Sequence, residues 1–206
     1  MGPRTAERIY RLIIRILTWP QRETARLEEQ KKRERCLAHS TSRLLPESQI
    51  INLTNKRDRI QIGARTISRG ECRVFGPEAN ITIGSDCYIG DNSKIWSAFG
   101  ITIGDRVLIA HSVNIHDNDS HPKSAAHRHR QTVDICNAGK YDLDDVGMAP
   151  IVIEDDAWIG FNASILKGVT IGRGAIIGAA SVITKDVSPY AIMVGNPARQ
   201  VGTASE

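Results

Sequence analysis

The chain has 206 residues, 41% hydrophobic and 24% charged, a balance that describes a folded protein with a core and excludes a disordered one. Aromatic residues make up only 5% while glycine fills 17 positions, which favours short strands and tight corners over a helical bundle. The net charge of +4 is unevenly spread: residues 1–59 carry 14 Lys/Arg against 7 Asp/Glu, and the remainder carries 13 against 16.

At the N-terminus, Ile9, Leu12, Ile13, Ile16 and Leu17 form a helical stripe, with Arg4, Arg8, Arg11 and Arg15 mostly on other faces. The stretch is too short and too charged to span a bilayer, and it has no small-residue cleavage site. A cytoplasmic protein is therefore expected. Pro20 breaks the stripe, after which QRETARLEEQKKRERCL resumes as a charged helix. This extension either packs on the body or rests residues 1–35 on an anionic membrane as a basic amphipathic helix. Residues 36–50 read as a linker, so residues 1–48 are expected to be a helical extension and linker. The basic residues are not interleaved with aromatics and match no nucleic-acid motif, so no nucleic-acid partner is expected. Cys36, Cys72, Cys87 and Cys136 show neither CxxC pairing nor a dense framework and are expected to be reduced thiols.

Internal repeats dominate the rest. An aliphatic residue recurs every six positions at Ile153, Ile159, Ile165, Ile171, Ile177 and Ile183. Four residues after each stands a small or β-branched one: Ala157, Ala163, Val169, Ala175, Ser181 and Val187. An earlier array reads Ile83-Gly84, Ile89-Gly90, Ile95, then Ile103-Gly104, Ile109 and Ile115. A period of six fits neither an α-helix nor a plain alternating strand. It fits a coil with flat sides, one aliphatic side chain per side pointing inward and a small residue at each corner. No coil can bury its inner face alone, so only a stack is stable. Residues 49–187 are assigned to this stack. Between Ile115 and Ile151 the period lapses, which predicts a loop extruded from one corner over about 117–150. Residues 188–206 read as a C-terminal tail.

The repeat resembles that of the hexapeptide-repeat transferases, and the resemblance implies a mainly β fold, a left-handed parallel β-helix with an extruded loop and an N-terminal helical extension. The segment IGDRVLIAHSVNIHDNDSHP, followed by the loop and PIVIEDDAWIGFNASILKGVTIGRGAIIGAASVITKDVSPYAIMVGNPARQV, resembles the sugar O-acetyltransferase branch (galactoside, maltose and nodulation types). That resemblance implies transfer of an acetyl group from acetyl-coenzyme A to a hydroxyl of a carbohydrate acceptor. A surface or extracellular polysaccharide, or its lipid-linked precursor, is the expected setting, with no metal required. It also implies a homotrimer with sites between subunits.

In that branch a His-Pro pair opens the extruded loop and its histidine is the general base; here the pair is His121-Pro122. The chemistry needs such a group. A sugar hydroxyl is a poor nucleophile at neutral pH, and a neutral imidazole, with an ordinary pKa of about 6.5, takes its proton as the oxygen attacks. On the coenzyme side the resemblance implies roles for Trp158 near the pantetheine arm, for the backbone of Ala179 and Thr184, and for Lys185 and Arg199 at the phosphates. One further basic position of the family is Gly202 here. Candidate acceptor contacts are Ser97, Asp117 and Asn118, and Asp119 is a candidate for orienting His121.

Three other readings stay open. The acceptor could be a xenobiotic alcohol or an amino-sugar. His111, His116 and His121 repeat an H-x4-H spacing similar to the zinc ligands of gamma-class carbonic anhydrases, which predicts a metal lyase if the three converge. Last, the β-helix could be a catalytically silent assembly platform.

Overall fold

A computed structural model describes residues 19–206 together with Glu7. The hydrophobic stripe Ile9–Leu17 lies outside the described residues. The first described element is α1 (Trp19–Arg33), and from Leu37 the chain winds through six coils of three short strands each. The first coil is β1 (Leu37–Ala38), β2 (Arg43–Leu44) and β3 (Gln49–Asn52). After a 3-10 turn at Arg57–Arg59 follow β4 (Ile60–Ile62), β5 (Ile67–Ser68) and β6 (Glu71–Val74). The third coil holds β7 (Ile81–Ile83), β8 (Tyr88–Ile89) and β9 (Lys94–Ser97); the fourth holds β10 (Ile101–Ile103), β11 (Leu108–Ile109) and β12 (Asn114–His116). Beyond an insertion come β13 (Ile151–Ile153), β14 (Trp158–Ile159) and β15 (Ser164–Leu166), then β16 (Thr170–Ile171), β17 (Ile176–Ile177) and β18 (Val182–Ile183).

Each strand pairs in parallel with its counterpart one coil away, producing three sheets around one prism. The register stacks like on like: Ile62, Ile83, Ile103, Ile153 and Ile171 in the first sheet, Ile89, Ile109, Ile159 and Ile177 in the second, and Ile95, Ile115, Ile165 and Ile183 in the third. All are buried, as are the expected corner residues Ala157, Ala163, Val169, Ala175, Ser181 and Val187. The hexad is thus the inward side chain of each flat side, and the architecture is the left-handed parallel β-helix. Crossovers between parallel strands ordinarily run right-handed because an intervening helix packs back that way. Here, apart from the 3-10 turn at Arg57–Arg59 and the insertion after β12, the corners are a few residues long with no helix in them, so that cause is absent.

The corners explain the glycines and the charges. A Cβ on Gly84 would stand 2.5 Å from the Gly104 carbonyl oxygen, so coils approach too closely there for a side chain. Many corners hold one residue in a left-handed conformation, including Arg65, Asp86, Arg106 and Asp156 along one edge. Their side chains pair between adjacent coils, Arg65 with Asp86 at 2.5 Å and Arg106 with Asp156 at 2.6 Å.

Three sequence expectations change. Residues 36–50 are not a linker: Cys36, Leu44 and Ile50 are buried in the core, and the prism begins at Leu37 rather than at 49. The end of α1 is tied to this first coil, with Lys32 Nζ donating to the Leu45 carbonyl at 2.6 Å and Arg33 Nη2 to that of Ser42 at 2.5 Å. The segment 188–206 is not a loose tail, since β19 (Ala191–Gly195) joins the second sheet beside β17 and β20 (Ala198–Thr203) folds back on it antiparallel. Finally, the insertion is not all irregular, because it contains α2 (Ala125–Ala138), capped by Ser124 and closed by Gly139 at φ 61°.

Candidate active site

The insertion leaves and re-enters the prism at one point. Its two ends are zipped by hydrogen bonds from Asp119 N–H to the Gly147 carbonyl (2.9 Å) and from Ala149 N–H to that of Asp117 (3.0 Å). The coil then resumes in register, Ile151 beside Ile101. Thirty-odd residues can therefore project outward without disturbing the core, and His121 stands at their start.

Under this junction lies a polar knot built on Asp117, whose side chain is fully buried. Its carboxylate accepts from the backbone N–H groups of Ala98 (2.8 Å), Phe99 (2.9 Å) and Gly100 (2.7 Å), and from the Ser97 hydroxyl (2.7 Å). Asn118 Nδ2 donates to it at 2.9 Å, while Asn118 Oδ1 accepts from Ser120 N–H. Ser97, Asp117 and Asn118 are thus brought together, but as an internal brace. Buried and mutually bonded, they have no face left for a ligand, and their expected role as acceptor contacts is corrected. Asp119 likewise does not orient the His121 ring: its carboxylate meets Lys167 Nζ at 2.6 Å, and only its backbone carbonyl accepts from His121 N–H.

The partner of the His121 ring is Gln131 on α2. Its Oε1 is 2.7 Å from His121 Nδ1, and its Nε2 donates to the Asp142 carbonyl. Tyr141, whose hydroxyl donates to the Ser120 carbonyl, turns its ring edgewise to His121 at 6.2 Å between centroids and to Phe75 at 5.8 Å. His121 and Tyr141 close one side of a cavity of about 490 Å³; Leu53, Phe75, Arg73 and Trp96 supply much of the other side. On the outer face of the third sheet, Arg73, Trp96 and His116 occupy one register column. The Arg73 guanidinium lies 4.6 Å from the centre of the Trp96 ring, and His116 stacks on that ring at 5.0 Å. Burial, followed by the nearby Lys94 ammonium, holds the His116 pKa below its ordinary value. Gln131, Tyr141, Phe75, Arg73 and Trp96 carry no recognisable motif, and sequence reasoning missed them; only the folding of the loop over the third sheet unites them.

The three spaced histidines do not converge. His111 stacks on Phe161 at 5.2 Å at a corner, His116 on Trp96 over the third sheet, and His121 lies in the loop. Among the described residues no group of three or more His, Cys, Asp or Glu is placed to hold a metal. The coenzyme candidates are all exposed, as a large flexible ligand requires, but they are dispersed. Trp158, 50% exposed, projects from the second sheet, Ala179 lies at the next corner, Thr184 and Lys185 follow the third sheet, and Arg199 sits in β20. Lys185 makes no ion pair among the described residues, and Arg199 Nη1 donates only to the neighbouring Ala198 carbonyl among them. Both cations are therefore available to a phosphate. One chain alone does not gather these five residues into a cavity.

Stacked coils of hexad-spaced aliphatics with a histidine-bearing loop define a hexapeptide-repeat β-helix. Family models agree: residues 150–185 match "Bacterial transferase hexapeptide (six repeats)" and residues 80–111 match "Hexapeptide repeat of succinyl-transferase". Both matches place hexapeptide repeats of the transferase type within this chain. It is 36% identical over 127 residues to a galactoside O-acetyltransferase of Escherichia coli, covering 62% of this chain and 56% of that protein. The matched part is thus little more than half the length of that relative. Among solved structures, a hexapeptide-repeat-containing acetyltransferase from Vibrio cholerae aligns with TM-score 0.54 and 28% identity, covering 88% of this chain and 82% of that one. A variant of AntD, an N-acyltransferase from Bacillus cereus solved with dTDP-4-amino-4,6-dideoxyglucose and coenzyme A, shares the fold with TM-score 0.66 at 19% identity, covering 87% and 90%.

Proposed function

We propose that the protein is an acetyl-coenzyme A-dependent O-acetyltransferase whose acceptor is a carbohydrate hydroxyl, with His121 as the general base. The observation that carries this reading is the His121 ring on the wall of a 490 Å³ cavity, held from behind by Gln131. An acceptor seated there brings its hydroxyl to the imidazole. The ring takes the proton as the oxygen bonds to the thioester carbonyl carbon, the carbon–sulfur bond breaks, and the imidazolium returns the proton to the departing thiolate. No covalent enzyme intermediate is needed. Aromatic and apolar walls beside polar Arg73 and Ser120 suit the mixed surface of a sugar or its conjugate.

The Vibrio cholerae relative has also been solved with acetyl coenzyme A, which supports the same donor here. Trp158, Ala179, Thr184, Lys185 and Arg199 are the residues we assign to it. Their dispersal over separate faces supports a homotrimer, in which a neighbouring prism completes the groove. No helix among the described residues is long and apolar enough to cross a membrane. The hydrophobic stripe Ile9–Leu17, flanked by Arg4, Arg8, Arg11 and Arg15, supports peripheral contact with anionic lipid, which equal sedimentation with vesicles after removal of residues 1–18 would reject.

The decisive assay follows free thiol release over a panel of sugars, nucleotide-sugars and amino-sugars, beside His121→Ala. Loss of general-base help lowers kcat by on the order of 10²–10⁴. Wild-type turnover in the variant sinks the base assignment, and turnover of amines alone replaces O-transfer with N-transfer.

A further inference from the structure

We infer that Gln131 is a positioning residue that locks His121 in the tautomer with the proton on Nδ1 and the lone pair on Nε2. The inference rests on His121 as the base and adds which nitrogen acts and what selects it.

The donor and acceptor capacity of each atom fixes the tautomer. A backbone carbonyl only accepts hydrogen bonds, so the end of the Gln131 amide that meets Asp142 C=O must be its NH2 group. The amide is thereby oriented with Oε1 toward the imidazole, 2.7 Å from Nδ1. An amide oxygen also only accepts, so Nδ1 must carry the hydrogen. In a neutral imidazole the other nitrogen then holds the free pair, and Nε2 is the base. Gln131 is placed to select the tautomer because both ends of its amide are bonded and it is buried, 4% exposed and the one buried residue of α2.

The surrounding construction serves this placement. Ser124 caps α2, Arg128 Nη1 donates to the Pro122 carbonyl at 2.9 Å, and His127 Nδ1 pairs with Asp145 at 2.8 Å. The helix is thus fastened to both arms of the loop, with Gln131 between them. A neutral partner also suits the cycle, since a carboxylate in its place would favour the charged imidazolium and hold back the proton the thiolate needs. Tyr141 and Arg73 line the cavity with His121; His127, Arg130, Asp134, Asp142, Asp144 and Asp145 lie on the Gln131 side, and Asp119 Oδ1 is engaged by Lys167.

The test is 15N NMR of histidine-labelled full-length protein above pH 8, with His121→Ala used to assign the resonances. The expected wild-type spectrum has a protonated, pyrrole-type Nδ1 and an unprotonated, pyridine-type Nε2 for His121. A proton mainly on Nε2 overturns the proposal whatever the variants do. In Gln131→Met the tautomer should shift toward Nε2–H and kcat should fall roughly ten- to hundredfold, the scale seen for outer-shell partners of functional histidines. In Gln131→Glu the acid limb of the kcat/KM profile should move to higher pH, because the new carboxylate stabilises imidazolium. An unchanged tautomer in Gln131→Met, or an unmoved acid limb in Gln131→Glu, removes Gln131 from the role. If instead His121→Ala turns over normally while the Nδ1–H tautomer is found, the base assignment fails and the positioning contact stands.

Discussion

Asp117 Oδ2 lies 2.7 Å from the Ser97 hydroxyl, joining the last residue of β9 to the first residue of the insertion one coil later. The same carboxyl group gathers three consecutive backbone N–H groups, so its buried oxygens are satisfied by backbone donors. That arrangement makes the junction of loop and prism sensitive to substitution at Asp117.

Asp117→Asn should therefore destabilise the protein by about 3 kcal/mol, because an amide offers one acceptor where the knot needs two and turns an N–H donor against others. Urea unfolding measures it. A loss under 1 kcal/mol would mean that the knot relaxes around the amide.

Stability should also depend on His116. Its folded pKa is lowered by burial, so its contribution is complete above the ordinary histidine value and declines as pH falls through that value, where the unfolded chain takes up the proton first. Unfolding midpoints measured at pH 8 and pH 5.5 should drop further for the wild type than for His116→Phe, which keeps a ring against Trp96. Equal drops would contradict this.

The cysteines should separate cleanly. Burial pushes the Cys72 thiol up to about 12 and that of Cys36 to about 11, and Cys87 is raised as well. Cys136 on α2 is exposed. Native protein treated with a thiol reagent near pH 8 should label once, at Cys136, and the other three should label only after denaturation. Rapid labelling of Cys72 in native protein would mean that the core opens there.

Lys185→Glu and Arg199→Glu should each raise KM for acetyl-coenzyme A about tenfold, or about 1.4 kcal/mol, with kcat little changed. Initial rates at varied donor concentration decide it; a fall in kcat alone would place these residues near the chemistry instead.

The hexads at Ile83–Ile115 and Ile153–Ile183 were legible without coordinates because one inward side chain per flat side is a strictly local periodicity. The first coil was harder to read. Its inner surface mixes Leu44 and Ile50 with buried Ser42 and Ser48, whose hydroxyls bond the carbonyls of His39 and Leu45. Polar residues that satisfy themselves internally look like a linker in a hydropathy pattern. Ser97, Asp117 and Asn118 misled for the same reason: polar side chains near a candidate base read as ligand contacts until their partners are known.

By itself the sequence determined the prism, the position of the insertion and the candidacy of His121, since each is written in residues close along the chain. Only the tertiary structure decided what surrounds that imidazole. Gln131 reaches it through nearly two turns of α2, and Phe75 and Trp96 approach from coils twenty-five or more residues earlier. Contacts of that kind depend on how the loop lies across the third sheet, which is set by packing and hydrogen bonding between distant segments and leaves no periodic trace.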